Sequence, residues 1–307
     1  MPYLRLLRPD NWFKNVFMLP GMLLVFYFRP DLLNSATIWA LVHGFAVVCL
    51  IASSNYVFNE ILDAESDRHH PVKHNRPLVA GNAKVSAAWV LWGMISLAGM
   101  ASGFALNIRF GTVGLLFWVA GILYNLPPIR LKDIPYCDVL SESLNNPLRL
   151  ALGWYATGLG SAPPLSMFMA YWMFGAFLMA AKRFAEFRMI GNIQQAARYR
   201  KSFLRYTEVN LMESMLFYAT LFALMSGFFI ARYRLELVLA TPLVALAVAY
   251  YLHLTYKPAV AVQYPEMLYR EKKLVLIVLA VCLACAFLLF VDLPVFNHLF
   301  DPWILPQ

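Results

Sequence analysis

The sequence predicts an all-α fold, a polytopic membrane bundle of about nine transmembrane helices, and three observations lead to this prediction. Apolar residues make up 61% of the 307 residues, whereas charged residues make up only 14%. A soluble domain carries about 25% charged residues, so this chain has too little polar surface to cover a globule in water. The apolar residues also fall into runs of about 20, the length that a helix needs to span a bilayer.

Nine segments have the length and hydropathy of a spanning helix, with limits near 14–29, 36–62, 86–107, 110–126, 137–158, 164–184, 207–230, 235–255 and 273–291. The fifth segment is the least apolar, and Pro147 within it predicts a kink. No internal repeat or linker divides the sequence. We therefore expect one transmembrane domain over residues 1–307.

Positive charge is distributed unequally between the two sets of predicted loops. The N-terminus and the loops after the second, fourth, sixth and eighth spans carry most cations, whereas the opposite loops carry only Arg29, Arg109, Arg232 and Arg234. Since short cytoplasmic loops are enriched in Lys and Arg, we expect a multi-pass protein of a bacterial-type inner membrane with its polar loops in the cytoplasm. The net charge of +8 does not indicate nucleic-acid binding, because no basic helix or aromatic sheet motif accompanies it.

The most specific polar pattern lies at the end of the second predicted span. Asn59, Asp63 and Asp67 are spaced by four, so they line one face of a helix, and Asn55 extends that face into the membrane. Mg²⁺ prefers hard oxygen ligands, commonly one or two carboxylates with water and phosphate oxygens. The row therefore predicts a site for a magnesium-bridged diphosphate.

Three cations follow this row, Arg68, Lys73 and Arg76, and they are candidates for neutralising the phosphates. The alternative is a solvated loop that begins where the helix leaves the lipid. Against that alternative, Asn55 and Asn59 lie within the apolar stretch, where polar groups are costly and usually face a cavity.

A second polar row lies in the fifth predicted span, where Asp138, Glu142, Asn145 and Arg149 fall on one helical face. Ionisable groups at membrane depth usually face the bundle interior, so these residues are candidates for lining a substrate cavity. The alternative is a self-satisfied structural pair, Glu142 with Asn145 and Arg149 on adjacent turns.

A third group closes the sixth predicted span, where Lys182 and Glu186 share one helix face and Arg183 lies alongside. Cations at a cytoplasmic helix end also follow from the positive-inside rule alone, so both interpretations stay open at this point.

These motifs resemble those of the UbiA superfamily of intramembrane prenyltransferases. N-E-x-x-D-x-x-x-D-R, from Asn59 to Arg68, resembles its first aspartate-rich motif. Three stretches are most similar to the branch that contains decaprenyl-phosphate phosphoribosyltransferase: L-R-P-x-x-W-x-K-N from Leu7, D-x-E-x-D-R-x-H-P-x-K-x-x-R-P-L-x-x-G from Asp63, and A-K-R-F-A-E from Ala181.

The resemblance implies a magnesium-dependent transferase with a membrane lipid as substrate and a diphosphate-containing co-substrate. In the phosphoribosyl branch, a 5-phosphoribosyl group passes from phosphoribosyl diphosphate to a polyprenyl phosphate. In other branches, a prenyl group passes from its diphosphate to an aromatic acceptor, which remains the alternative. A lipid or ion transporter is less expected, because it would place polar residues at both ends of the bundle.

The resemblance also implies roles for individual residues. Asn59, Asp63 and Asp67 would hold Mg²⁺, and catalysis would depend on Asp63, Asp67, Lys182 and Glu186. The phosphate contacts would come from Arg68, Lys73, Lys182 and Arg183. Tyr124 and Lys132 are similar to the tyrosine and lysine of the aromatic branch, but their separation by eight residues is not that branch's spacing.

Overall fold

The computed structural model describes residues 2–68, 75–190, 200–257 and 265–296. Its α-helices are α1 (Pro2–Leu6), α2 (Leu19–Phe28), α3 (Ser35–Asp67), α4 (Val85–Leu106), α5 (Ile108–Asn125), α6 (Cys137–Ser143), α7 (Asn145–Ala156), α8 (Leu165–Ile190), α9 (Glu208–Tyr233), α10 (Thr241–Thr255) and α11 (Lys272–Phe290). Short 3-10 helices connect several of them, and the described residues contain no strand. The predicted all-α class is confirmed.

Seven segments are long and apolar enough to cross a membrane: Ser35–Glu65, Val85–Leu106, Ile108–Asn125, Leu165–Ile190, Glu208–Tyr233, Leu235–Thr255 and Lys272–Phe290. They correspond to seven of the nine predicted spans. The other two, the first and the fifth, are helical but interrupted. Within the described residues, the bundle therefore has seven continuous spans and two broken ones.

Proline explains where the fifth span is interrupted. The break at Leu144 separates α6 from α7. Pro147 has no N–H group, and its ring crowds the carbonyl of the residue four positions earlier, which is Ser143. The predicted kink is confirmed. The first span is likewise divided, into a 3-10 helix over Pro9–Met18 followed by α2.

The two interrupted segments pack against each other with their backbones in contact. A Cβ atom on Gly153 of α7 would lie 2.0 Å from the carbonyl oxygen of Met18, and one on Gly21 of α2 would lie 2.0 Å from that of Leu150. Real Cβ contacts are never this short, so both positions require glycine. This close approach fixes the end of the 3-10 segment and the start of α2 against residues 150–153 of α7.

Two apolar clusters support the polar end of the bundle. One joins α8 and α9 and includes Phe177, Phe184 and Leu211. The other joins α3, α5 and α7 and includes Ile51 and Phe117. The polar ends of α3, α5 and α8 project from these clusters at one end of the bundle.

Candidate active site

Asp63 lies at the centre of the first polar group, the Asp63 cluster, defined by Asn59, Asp63, Asn125, Arg130 and Lys132. Nζ of Lys132 donates to both carboxylate oxygens of Asp63, at 2.6 and 2.7 Å, and to Oδ1 of Asn125 at 2.8 Å. Nη2 of Arg130 donates to Asp63 at 2.8 Å. Nδ2 of Asn59 donates to Asp63 at 2.9 Å and to Asn125 at 2.5 Å. The cluster thus joins α3, the end of α5 and the loop that follows it.

A tight turn brings Lys132 into this cluster. Arg130 has a φ of 32° and begins the 3-10 helix Leu131–Asp133, and its Nε lies 3.0 Å from the carboxylate of Asp133. Lys132 is consequently only 6% exposed. Burial lowers the pKa of Lys132 to about 8, and the neighbouring carboxylate of Asp63 opposes that shift. The side chain therefore remains largely a cation at neutral pH.

Asp67 and Glu60 hold the chain that follows α3 against the helix. Asp67 is buried and forms an ion pair with Arg76. Glu60 accepts hydrogen bonds from the backbone N–H of Leu78 at 3.2 Å and from Nη2 of Arg8 at 3.5 Å. Glu60 therefore contacts Leu78 and Arg8 and not the Asp63 cluster, and its carboxylate anchors the loop after α3.

Arg68 and Lys73 are the other two cations that were predicted to contact phosphate after α3. Arg68 directly follows α3 and is exposed. Lys73 lies outside the residues that the structure describes. Their predicted phosphate contacts stay predictions.

The second polar group, the Asp138 cluster, is defined by Asp138, Arg183, Arg200, Ser202 and Tyr206. Asp138 is fully buried, and its Oδ2 accepts from Nε of Arg183 at 3.1 Å, from Ser202 at 3.3 Å and from Nη1 of Arg200 at 3.5 Å. Its Oδ1 accepts from the hydroxyl of Tyr206 at 2.6 Å. Burial and then the charge of Asp138 raise the pKa of Tyr206, so the phenol remains a donor.

These contacts bear on the predicted substrate contacts of Asp138 and Arg183. Both side chains are buried, and Arg183 also donates to Glu186 at 2.8 Å. A guanidinium between two carboxylates is already neutralised, so a direct contact with substrate would require one of these pairs to open. The geometry favours a role in fixing α6, α8 and the residues after 200.

Arg200 connects the two clusters. Its Nη1 lies 3.3 Å from the hydroxyl of Tyr124 and 3.5 Å from the backbone oxygen of Lys132, in addition to its contact with Asp138. Sequence reasoning counted Arg200 only as a loop cation and did not single out Asn125 or Arg130. Asn125 could have been found as a polar residue at the end of an apolar span, and Arg130 as a second cation two residues before Lys132.

Lys182 lies beside the Asp138 cluster and has no neutralising partner in the described part of the chain. No carboxylate oxygen there lies within 4.0 Å of its Nζ atom, although Glu186, Glu142, Arg183 and Arg200 act on it electrostatically. Lys182 is partly exposed. This ammonium group is thus available to an anionic ligand.

The predicted row in the fifth span, which runs from Asp138 to Arg149, does not form one connected set of contacts. Asp138 turns to the cations of the Asp138 cluster, whereas Nε of Arg149 donates to Oδ1 of Asn15 at 2.9 Å. Nη1 of Arg149 donates to the backbone oxygen of Asn145 at 3.5 Å, so the expected side-chain pair of Glu142 and Asn145 with Arg149 is not formed. The physical reason is that neighbouring elements supply partners to each side chain, Arg183, Arg200 and Tyr206 to Asp138 and Asn15 to Arg149.

Asn55 packs more deeply, against α5. Its Nδ2 donates to the backbone oxygen of Phe117 at 3.1 Å, while its Oδ1 is buried and has no hydrogen-bond partner among the described residues. This contact ties α3 to α5. Its predicted role in substrate binding is compatible with the remaining acceptor and stays a prediction.

The fold and the site define an α-helical integral membrane protein in which acids and bases converge at one end of the bundle. Residues 15–267 match the UbiA prenyltransferase family, and the chain belongs to that family. The resemblance deduced from the sequence motifs is thereby confirmed.

Relatives and a solved structure agree with this family. A decaprenyl-phosphate phosphoribosyltransferase of Mycolicibacterium smegmatis is 29% identical over 66% of this chain and 62% of the relative. The protein of the same name from Corynebacterium glutamicum is 31% identical over 68% of this chain and 60% of the relative. The chain thus matches about three fifths of the length of these relatives.

The fold is also similar to that of a UbiA homologue from Archaeoglobus fulgidus bound to DMAPP and Mg²⁺. The TM-score is 0.69 at 21% identity, and the similarity covers 95% of this chain and 100% of that chain. This similarity shows the fold.

Proposed function

We propose that the protein is a magnesium-dependent transferase that moves a 5-phosphoribosyl group from phosphoribosyl diphosphate to a polyprenyl phosphate. The observation that carries the proposal is the convergence of the Asn59, Asp63 and Asp67 row with basic side chains from separate elements. Such a site suits a metal-bound diphosphate, and the two relatives named as phosphoribosyltransferases favour this reaction.

The donor set fits a magnesium ion. Asp63 and Asp67 carry carboxylate oxygens and Asn59 an amide oxygen, the hard ligands that Mg²⁺ prefers. Mg²⁺ would replace the cations of Lys132 and Arg76 that these carboxylates now contact. Among the described residues, no three His, Cys, Asp or Glu side chains come together as a metal cage, so phosphate oxygens and water would complete the coordination. When bound, Mg²⁺ would stabilise negative charge on the departing diphosphate.

The basic side chains perform the remaining electrostatic work. In the proposed reaction, the bond from ribose C1 to the diphosphate breaks with its electrons on the diphosphate, and an oxygen of the lipid phosphate forms the new bond to C1. Both substrates are anions, so their approach requires cations. Lys182 has no carboxylate within ion-pair distance among the described residues, so it can contact phosphate oxygens directly. Lys132 and Arg130 are paired with Asp63, and they would turn to phosphate oxygens when Mg²⁺ takes their place on that carboxylate.

The position of the site suits one water-soluble and one lipid substrate. The polar clusters lie at the end of the bundle that carries most of the lysines and arginines, which we assign to the cytoplasm of a bacterial-type inner membrane. The donor would enter from water, and the polyprenyl chain would remain in the lipid. Buried cluster residues would keep water from the reacting carbon.

The test is product mass after incubation of the purified protein in detergent with Mg²⁺, phosphoribosyl diphosphate and a polyprenyl phosphate. We expect a phosphoribosyl lipid that disappears when Mg²⁺ is chelated. Asp63→Asn should abolish it, whereas Asp31→Asn, the same change at an exposed residue, should not. Full activity of Asp63→Asn would refute the metal assignment.

A second candidate is prenyl transfer from a polyprenyl diphosphate to an aromatic or other polar acceptor. The structural relative bound to DMAPP and Mg²⁺ favours it. A parallel reaction with polyprenyl diphosphate and aromatic acids distinguishes the two, since a prenylated aromatic product would replace the phosphoribosyl lipid.

A further inference from the structure

Arg149 is a buried guanidinium within the membrane-embedded part of the bundle. It is 6% exposed, its Nε donates to Asn15 at 2.9 Å, and its guanidinium carbon lies 4.9 Å from the ring centre of Phe117. Asn15 is itself fixed, because its Nδ2 donates to the sulfur of Cys49 at 3.2 Å. The close backbone contact between the 3-10 segment and α7 holds both side chains in this arrangement.

No carboxylate neutralises this charge in the described part of the chain. None lies within the 4.0 Å ion-pair distance of Arg149, and Nη2 has no hydrogen-bond partner there. The contrast with Arg183 is direct, since Arg183 is similarly buried and contacts the carboxylates of both Asp138 and Glu186. A buried, unpaired charge costs several kcal/mol, so the asymmetry points to an anion supplied from outside the chain.

The Arg149 side chain lies deeper than the Asp63 cluster. Its ring partner Phe117 precedes Asn125 by eight residues on α5, which corresponds to about 12 Å along a helix. Asn55, which contacts the backbone of Phe117, lies one turn before Asn59 on α3. This spacing separates the level of Arg149 from that of the Asp63 cluster by roughly two helical turns.

Polar groups around Arg149 suit a phosphate ester. Tyr56 on α3 and Tyr171 on α8 act on it electrostatically, and the two phenols can donate hydrogen bonds. Glu142 also acts on Arg149, but a carboxylate repels phosphate and is not one of its ligands. Oδ1 of Asn145 is buried without a partner among the described residues, so it can accept from a hydroxyl group. Arginine binds phosphate through two parallel N–H donors, and Nη2 leaves one such donor available.

We propose that Arg149 and its neighbours bind a phosphate monoester, as a second anion site separate from the diphosphate site. The inference rests on the proposed function, in which both substrates carry such a group: the head of the polyprenyl phosphate and the 5-phosphate of the ribosyl donor. The chemistry is the same in both cases, so the experiment has to separate the two sources.

Binding can be measured without turnover, as ligand-induced thermal stabilisation of the full chain in detergent. The probes are farnesyl phosphate and ribose 5-phosphate, with farnesol and ribose as uncharged controls. Arg149→Met should lower the affinity for one of the two phosphates by about 10- to 100-fold, the loss expected for charge-assisted hydrogen bonds. Arg109→Met, the same change at an exposed arginine, should leave both unchanged. The phosphate that loses affinity identifies the source.

The melting temperature without ligand adds a readout that a structural role would not give. Because Arg149 is an unpaired charge, Arg149→Met should melt at or above the temperature of the unchanged protein. If Arg149→Met instead fails to fold, Arg149→Lys takes its place as the test. It keeps the charge but loses the paired N–H donors of the planar guanidinium, so it should still lower the affinity for the same phosphate. Unchanged affinity for both phosphates in the variant that folds would overturn the proposal.

Turnover separates this proposal from the function on which it rests. Normal phosphoribosyl transfer by Arg149→Met, with unchanged KM for both substrates, would overturn the second anion site and leave the function intact. Phosphate binding that depends on Arg149, in a protein that makes no phosphoribosyl lipid, would support the site and refute the reaction.

Discussion

Asp138→Asn tests whether the buried carboxylate of the Asp138 cluster holds the bundle together or contacts the substrate. The change keeps the shape of the side chain but replaces one acceptor oxygen with an amide that donates. That amide would face Arg183, Arg200 and Ser202, or else the hydroxyl of Tyr206. Turned towards Arg183 and Arg200, the amide sets a donor against two cationic donors. Turned towards Tyr206, it can donate to the hydroxyl, but the two guanidinium groups then face a neutral oxygen in place of a carboxylate.

The expected cost follows from the burial of these groups. Removing one partner of a buried ion pair costs about 3–5 kcal/mol, because the remaining charge stays desolvated. At about 2–4 °C per kcal/mol for a chain of this order of size, the melting temperature should fall by about 6 °C or more. The fall would be smaller than the sum of the individual contacts, since Arg183 retains Glu186.

The assay is thermal unfolding in detergent, followed by tryptophan fluorescence, beside a transfer assay. Glu142→Gln is the matched control, because it removes a carboxylate one turn further along the same span. Glu142 has no hydrogen bond among the described residues and is partly exposed, so its melting temperature should change little. An Asp138→Asn variant that melts like the control but loses turnover would show that Asp138 acts on the substrate, against the positioning role.

Two further changes test the packing and the Asp63 cluster. Gly153→Ala places a methyl group 2.0 Å from the carbonyl oxygen of Met18 and should destabilise the protein by about 1–3 kcal/mol; Gly93→Ala, where no atom lies within 4 Å, should be neutral or stabilising by thermal unfolding. Lys132→Met removes the cation beside Asp63 and should raise KM for the diphosphate substrate by about 10-fold or more. An unchanged KM would exclude Lys132 from diphosphate binding.

Local sequence patterns predicted the features that depend on a single helix. The spacing of Asn59, Asp63 and Asp67 specified one helix face because the helical period is fixed. Hydropathy likewise located the continuous spans, and Pro147 located the break in the fifth. These inferences required no knowledge of neighbouring helices.

The partners of these residues could not be predicted in the same way. Lys132 meets Asp63 only because the turn at Arg130 folds back under α3, and Arg200 meets Asp138 across 62 residues of sequence. The charges in the fifth span share a helical spacing, but Asp138 and Arg149 take their partners from different neighbouring elements. Tertiary packing decides such contacts, and a spacing rule contains no information about it.

The position of Arg200 also has a thermodynamic consequence. One guanidinium contacts Asp138, the hydroxyl of Tyr124 and the backbone of Lys132, whose ammonium group holds Asp63. A ligand that draws Arg200 towards itself would loosen contacts in both clusters at once. Linkage is reciprocal, so we expect two ligands that both act through Arg200 to change each other's affinity by the same factor.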